Sequence, residues 1–136
     1  MLSTPAEMQR TYIVTDDRHS PFYRELRAQL QTAGVQLVDS AVESTGTFSI
    51  LYDETDQRVL SVSARNVPTE YEVYYTIRYS IDGGGKTLVE PQTLTLTRDY
   101  TYDPLLVLGK AREEEQLREA IVKDLVRIVL KKISTL

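Results

Sequence analysis

The sequence predicts an α+β fold, a two-layer sandwich in which a mostly antiparallel four-stranded sheet carries two helices on one face. Three observations lead there. Residues 70–82, EYEVYYTIRYSID, alternate strictly, with Tyr71, Val73, Tyr75, Ile77, Tyr79 and Ile81 on one face and Glu72, Tyr74, Thr76, Arg78 and Ser80 on the other. The glycine-rich DGGGK at 82–86 turns this strand back into 87–102 as its antiparallel partner. Residues 19–34 and 112–134 instead repeat their apolar side chains at three-and-four spacing, the period of an amphipathic helix.

In chain order, MQRTYIVTDD (8–17) has a short apolar centre ended by two aspartates and reads as a strand. In HSPFYRELRAQLQTAG, Ser20 stands where an N-cap belongs, Pro21 opens the helix and Gly34 stops it. Phe22, Leu26, Gln29 or Leu30, and Ala33 form its apolar face. VQLVDS (35–40) is apolar but short, and enters the sheet or its edge. TFSILYDETDQRVLSVSA (47–64) alternates at both ends, through Phe48, Ile50 and Tyr52 and then Leu60 and Val62. Its acidic DETD lacks Gly, Asn and Pro, which favours one long strand with a polar, bulged middle over a hairpin. Pro91 lies inside 87–102, so its missing N–H must face an unpaired side or a bulge. The last helix presents Leu117, Ala120 or Ile121, Leu125, Ile128 and Ile133 to the core. Glutamates crowd its first turns and Lys131 and Lys132 its last, which complements the helix dipole.

Both helices are expected to cover the Tyr/Val/Ile face, so nothing remains to cover the other. Tyr74, Thr76, Arg78 and the threonines of the return strand would then face water or the inside of another protein.

At 136 residues the chain suits one domain, 1–136, able to bury a core without staples. A formal charge of −4 argues against a general nucleic-acid binder, though a local basic patch stays open. With no cysteine there is no disulfide, thiolate metal site or cysteine nucleophile. No apolar run approaches the roughly 20 residues that span a bilayer, and MLSTPAEMQR has no apolar signal-peptide core. Either the protein is cytosolic or a targeting segment has been cut away.

Catalytic chemistry finds little support. The single histidine, His19, precedes a helix cap and reads as a solvated loop residue. Asp16-Asp17 and Asp53-Glu54-Asp56 lack the spacing of a calcium loop. GGGK lacks the Walker spacing and sits between two strands. No cofactor or metal is expected. Two cations stand out. Arg65 follows a strand end and Lys110 enters the last helix, so both fall at one end of the sheet. They read either as separate surface charges or as a small anion-binding tip near the helix N-terminus. Leu105–Leu108 either fold back as the first turn of the final helix or form a surface for a partner or lipid.

HSPFYRELRAQLQTAGVQLV, VLSVSARNVPTEYEVYYTIRYSID and LVEPQTLTLTRDYTYDPLLVLGKAREEEQLREAIVKDLVRIVLKKIS, in that order and spacing, resemble the outer-membrane lipopolysaccharide-assembly lipoproteins of the LptE family. The resemblance covers nearly the whole chain. It implies a non-enzymatic plug inside the β-barrel of the transporter LptD, lipid-anchored on the periplasmic side of the outer membrane. Family members start from a lipidated cysteine; none is present, so this chain is expected to begin after the anchor. The resemblance further implies lipopolysaccharide binding by basic residues at one tip, with Lys110 matching the family's loop lysine and Arg65 aligning approximately with its strand-end arginine. Tyr74, Thr76 and Arg78 are then expected to face the barrel lumen. The alternative is a free-standing periplasmic adaptor or small-ligand-binding module using the same bare face.

Overall fold

The computed structural model describes residues 3–101 and 110–136. A one-turn 3-10 helix, Ala6–Met8, leads into β1, Arg10–Val14, whose inward side chains Thr11 and Ile13 are buried. Helix α1, Pro21–Thr32, begins as its sequence dictates: Ser20 Oγ accepts a 3.0 Å hydrogen bond from the Tyr23 N–H, and Pro21 occupies the first turn, where no donor is needed. Its buried face is Phe22, Tyr23, Leu26 and Leu30. Strand β2, Gln36–Val38, follows, and then three long strands: β3 Gly46–Val62, β4 Pro68–Gly83 and β5 Lys86–Thr101. Helix α2, Lys110–Ser134, closes the chain.

The sheet has five strands in the order β2-β1-β3-β4-β5 and is mixed. This corrects the expected four-stranded, mostly antiparallel sheet. β1 pairs parallel with both β2 and β3, whereas β3, β4 and β5 pair antiparallel. The reason lies in the connections. Helix α1 returns the chain across the sheet, so β2 must run parallel to β1. Residues 39–45 then bring it back to start β3 on β1's other side. Alternation marks a strand but not its neighbours.

DETD is the middle of one long strand, as the absence of turn formers implies. The glycine turn is a hairpin in which Gly84 and Gly85 both have positive φ, 61° and 75°, as a tight two-residue loop on right-twisted strands requires.

Val73, Tyr75, Ile77, Tyr79 and Ile81 of β4 are buried together with the inner faces of both helices. Phe48 stacks on Tyr79 with centroids 5.2 Å apart, and Phe22 meets Tyr75 at 6.5 Å. Arg98 on β5 pairs with Asp124, which also holds Arg127 at 2.7 Å, tying α2 to that edge of the sheet.

The bulges decide the faces of β3, and on α2 one expected core residue, Ile128, lies elsewhere. Leu51 is an extra residue in the β3 ladder, because Ile50 pairs with Tyr79 and Tyr52 already with Arg78. A single inserted residue flips all that follow to the opposite face. Tyr52 therefore leaves the core side and is exposed; Leu60, itself the extra residue at a second irregularity, and Val62 beyond it are exposed as well. On α2 the buried stripe is Ile121, Val122, Leu125, Val126, Val129 and Ile133, while Ile128 points outward at 41% exposure. Four-residue steps from Ile121 reach Val129, not Ile128.

Candidate functional site

The first candidate lies where β3 turns into β4. Ser63 organises this turn. Its N–H donates to the Val67 carbonyl at 2.7 Å, and its Oγ accepts from the Arg65 and Val67 N–H groups at 3.3 Å. Asn66 takes the left-handed conformation, φ 63°, that Asn tolerates better than most residues. Arg65 is thereby held at the apex, exposed and without an ion pair among the described residues. Exposed Val62 and Val67 flank the turn in sequence, and exposed Val59 and Leu60 lie further back along β3. The tip is thus a cation on an apolar hairpin end.

Strand β5 ends at the same end of the sheet, since Glu70 pairs with Thr101 and Tyr71 with Tyr100. The Tyr71 and Tyr100 rings stack at 5.3 Å. Tyr100 Oη donates to Glu114 at 2.5 Å and lies 3.0 Å from the Gln57 side-chain amide, fixing the early turns of α2 over this end. Burial and the Glu114 carboxylate hold the Tyr100 phenol above its ordinary pKa. Lys110 is the first residue of α2, rather than part of the preceding loop. Arg65 and the start of α2 therefore share one end of the molecule. Leu105–Leu108 lie outside the described residues.

The second candidate is the sheet face that no helix covers among the described residues. Thr76 and Thr95 hydroxyls share a 2.9 Å hydrogen bond, and Arg78 Nη1 donates to Thr93 Oγ1 at 3.4 Å. Arg58 lies over the Tyr74 ring at 4.4 Å from its centroid and pairs with Glu72 at 3.4 Å. Tyr74, Thr76 and Arg78 are thus brought together on one face, flanked by Thr93, Thr95 and Thr97 on β5. Sequence reading missed the β3 side of this face. Tyr52, Glu54, Asp56 and Arg58 oppose Arg78, Thr76, Tyr74 and Glu72, placed there by the bulge at Leu51. The unbroken polar run after Tyr52 was the available signal.

His19 is exposed, its N–H bonded to Asp17 Oδ1 at 2.8 Å. No cluster of acidic or histidine side chains fit to hold a metal occurs among the described residues.

Comparison with known proteins covers almost the whole chain. Residues 8–133 match the sequence profile of the family described as LptE, Lipopolysaccharide-assembly. The chain is 25% identical to the LPS-assembly lipoprotein LptE of Pectobacterium atrosepticum, over 93% of this chain and 71% of that protein. It is 26% identical to the protein of the same name from Yersinia pestis, over 93% of this chain and 63% of its relative, so it spans under two thirds of that relative's length. Among solved structures, lipoprotein B of Nitrosomonas europaea aligns with TM-score 0.82 at 25% identity, over 97% of this chain and 84% of its own. The rare lipoprotein B of Shewanella oneidensis aligns with TM-score 0.78 at 24% identity, over 93% and 94%. That likeness shows the shared fold.

Proposed function

Because the chain belongs to the LptE family of lipopolysaccharide-assembly proteins, we propose that it is a non-catalytic component of lipopolysaccharide transport at the outer membrane, seated as a plug in the LptD β-barrel. The observation that carries this reading is the one-sided sheet. Two helices seal one face, while no other element among the described residues covers the second, a surface of threonines, tyrosines and paired charges. Such a surface suits the polar lumen of a wide barrel, whose inward side chains are themselves polar. Tyr74, Thr76 and Arg78 are its centre.

Lipopolysaccharide binding is assigned to the Arg65 end, with Lys110 as the second cation. An exposed guanidinium on an apolar hairpin end matches a phosphorylated glycolipid in kind: charge-assisted hydrogen bonds for the phosphates, aliphatic surface for what adjoins them.

The rival reading, a free-standing adaptor or small-ligand module, finds less support. The groove between α1 and α2 is open, and charged Arg24, Glu25, Glu115, Arg118, Glu119 and Lys123 line it together with Pro21 and Val122, so it lacks the enclosure a small ligand usually needs. The test is co-purification of the lipid-anchored protein from outer membranes. The proposal expects a stable complex with a large β-barrel, cross-linked through photoreactive groups at positions 74, 76 or 78. A protein recovered alone, with no cross-link from those positions, overturns it.

A further inference from the structure

β3 has a strand on both sides only where it begins. β1 covers Gly46–Ser49, and beyond Ser49 only β4 pairs with it among the described residues. The irregularities at Leu51 and Leu60 frame a regular window, Tyr52–Val59, whose residues pair rung for rung with Arg78–Tyr71 on β4. Its outer edge has no strand partner among the described residues over roughly 25 Å, at about 3.3 Å per residue, and within it the Gln57 N–H is met by the neighbouring Asp56 Oδ1 at 2.8 Å.

The side chains along this edge differ by face. Toward the helices, Asp53, Thr55 and Gln57 are already engaged by Tyr75, Arg118 and Tyr100. Toward the bare face, Glu54 and Asp56 are exposed and make no ion pair among the described residues. Exposed Leu51 and Tyr52 stand at one end of the window, and Val59 and Leu60 at the other.

We propose that this edge is a docking site for an extended segment of a partner polypeptide, which adds to the sheet as a strand beside β3. Main-chain hydrogen bonds would hold it, and alternate side chains would select it. The edge specifies its occupant: basic residues opposite Glu54 and Asp56, apolar residues toward the ends. A second copy of this chain is disfavoured in the antiparallel register centred on Thr55, which sets Glu54 against Asp56 twice, and like charges directly opposite destabilise a ladder. In the register centred on Asp56, the Arg58 that would meet Glu54 is already held by Glu72 and Tyr74. The bulges end the regular edge on both sides, so it accepts one short strand rather than seeding open-ended stacking. This inference stands apart from lipopolysaccharide binding at Arg65.

The test uses the whole chain and an acetylated, amidated eight-residue peptide alternating threonine with lysine, with valine at each end. Amide hydrogen exchange is followed residue by residue. The outward amides of Tyr52–Val59 are expected to slow by about tenfold or more when the peptide is present. Backbone N-methylation of every second peptide residue is expected to abolish the effect while leaving its charge intact. Glu54→Lys with Asp56→Lys, both at exposed positions, is expected to move the preference to a peptide carrying glutamate in place of lysine. No protection by the lysine peptide overturns the proposal. Equal protection by the methylated peptide reduces it to charge attraction and overturns it too. Protection that grows with protein concentration in the absence of peptide assigns the edge to a second copy and also overturns it.

Discussion

Tyr75 Oη donates a 2.6 Å hydrogen bond to Asp53 Oδ1 and accepts one of 3.1 Å from the Phe22 backbone N–H. An acidic residue in the middle of β3 is thereby linked, through a fully buried phenol on β4, to the first turn of α1. That turn has unsatisfied N–H groups and the positive end of the helix dipole, so a carboxylate one hydrogen bond away is well placed. Burial first, and then Asp53, push the Tyr75 phenol well above its ordinary pKa.

Tyr75→Phe keeps the ring but strands the Phe22 N–H and Asp53, whose other oxygen is already buried without a partner. The expected loss is about 1–3 kcal/mol of unfolding free energy, measured by urea titration. Asp53→Asn retains an acceptor and is expected to lose less than Asp53→Ala. A double-mutant cycle between positions 53 and 75 should show coupling; strict additivity would mean the two residues act separately.

The same phenol makes stability fall in alkali. Its pKa is higher folded than unfolded, so its contribution is fully present below the unfolded value near 10 and is lost as pH rises above it. The unfolded chain then holds fewer protons than the native one, and each such phenol adds a slope of about 1.4 kcal/mol per pH unit. Stability curves between pH 9 and 11 should steepen downward in the parent and less so in Tyr75→Phe.

Gly46 begins β3 where the Glu7 backbone crosses it, and a Cβ there would collide with the Glu7 carbonyl oxygen. Because backbone must move to make room, Gly46→Ala is expected to destabilise by roughly 1–3 kcal/mol. It should also speed hydrogen exchange around residues 6–10. An unchanged melting temperature would show that the amino-terminal segment is not packed there.

Charge reversal at the proposed glycolipid end should separate binding from folding. Arg65→Glu is expected to weaken lipopolysaccharide binding about tenfold, or roughly 1.4 kcal/mol, and combination with Lys110→Glu further. Arg65 is exposed and unpaired among the described residues, so its melting temperature should hold. Binding equal to the parent's removes the residue from the site.

What the sequence determined by itself was local: where each long strand and helix runs, the Ser20–Pro21 cap, the glycine hairpin, and the β4 face that becomes core. These follow from periods of 2 and 3.6 and from side chains acting on their own backbone, information contained within a few residues. Tertiary structure decided the rest. Pairing partners made the sheet mixed and five-stranded, one inserted residue at Leu51 moved Tyr52 and its successors to the other face, and the Asp53–Tyr75–Phe22 link joined residues 22, 53 and 75. Strand register and long-range hydrogen bonds depend on which segments meet, and an alternating pattern reads the same beside any neighbour.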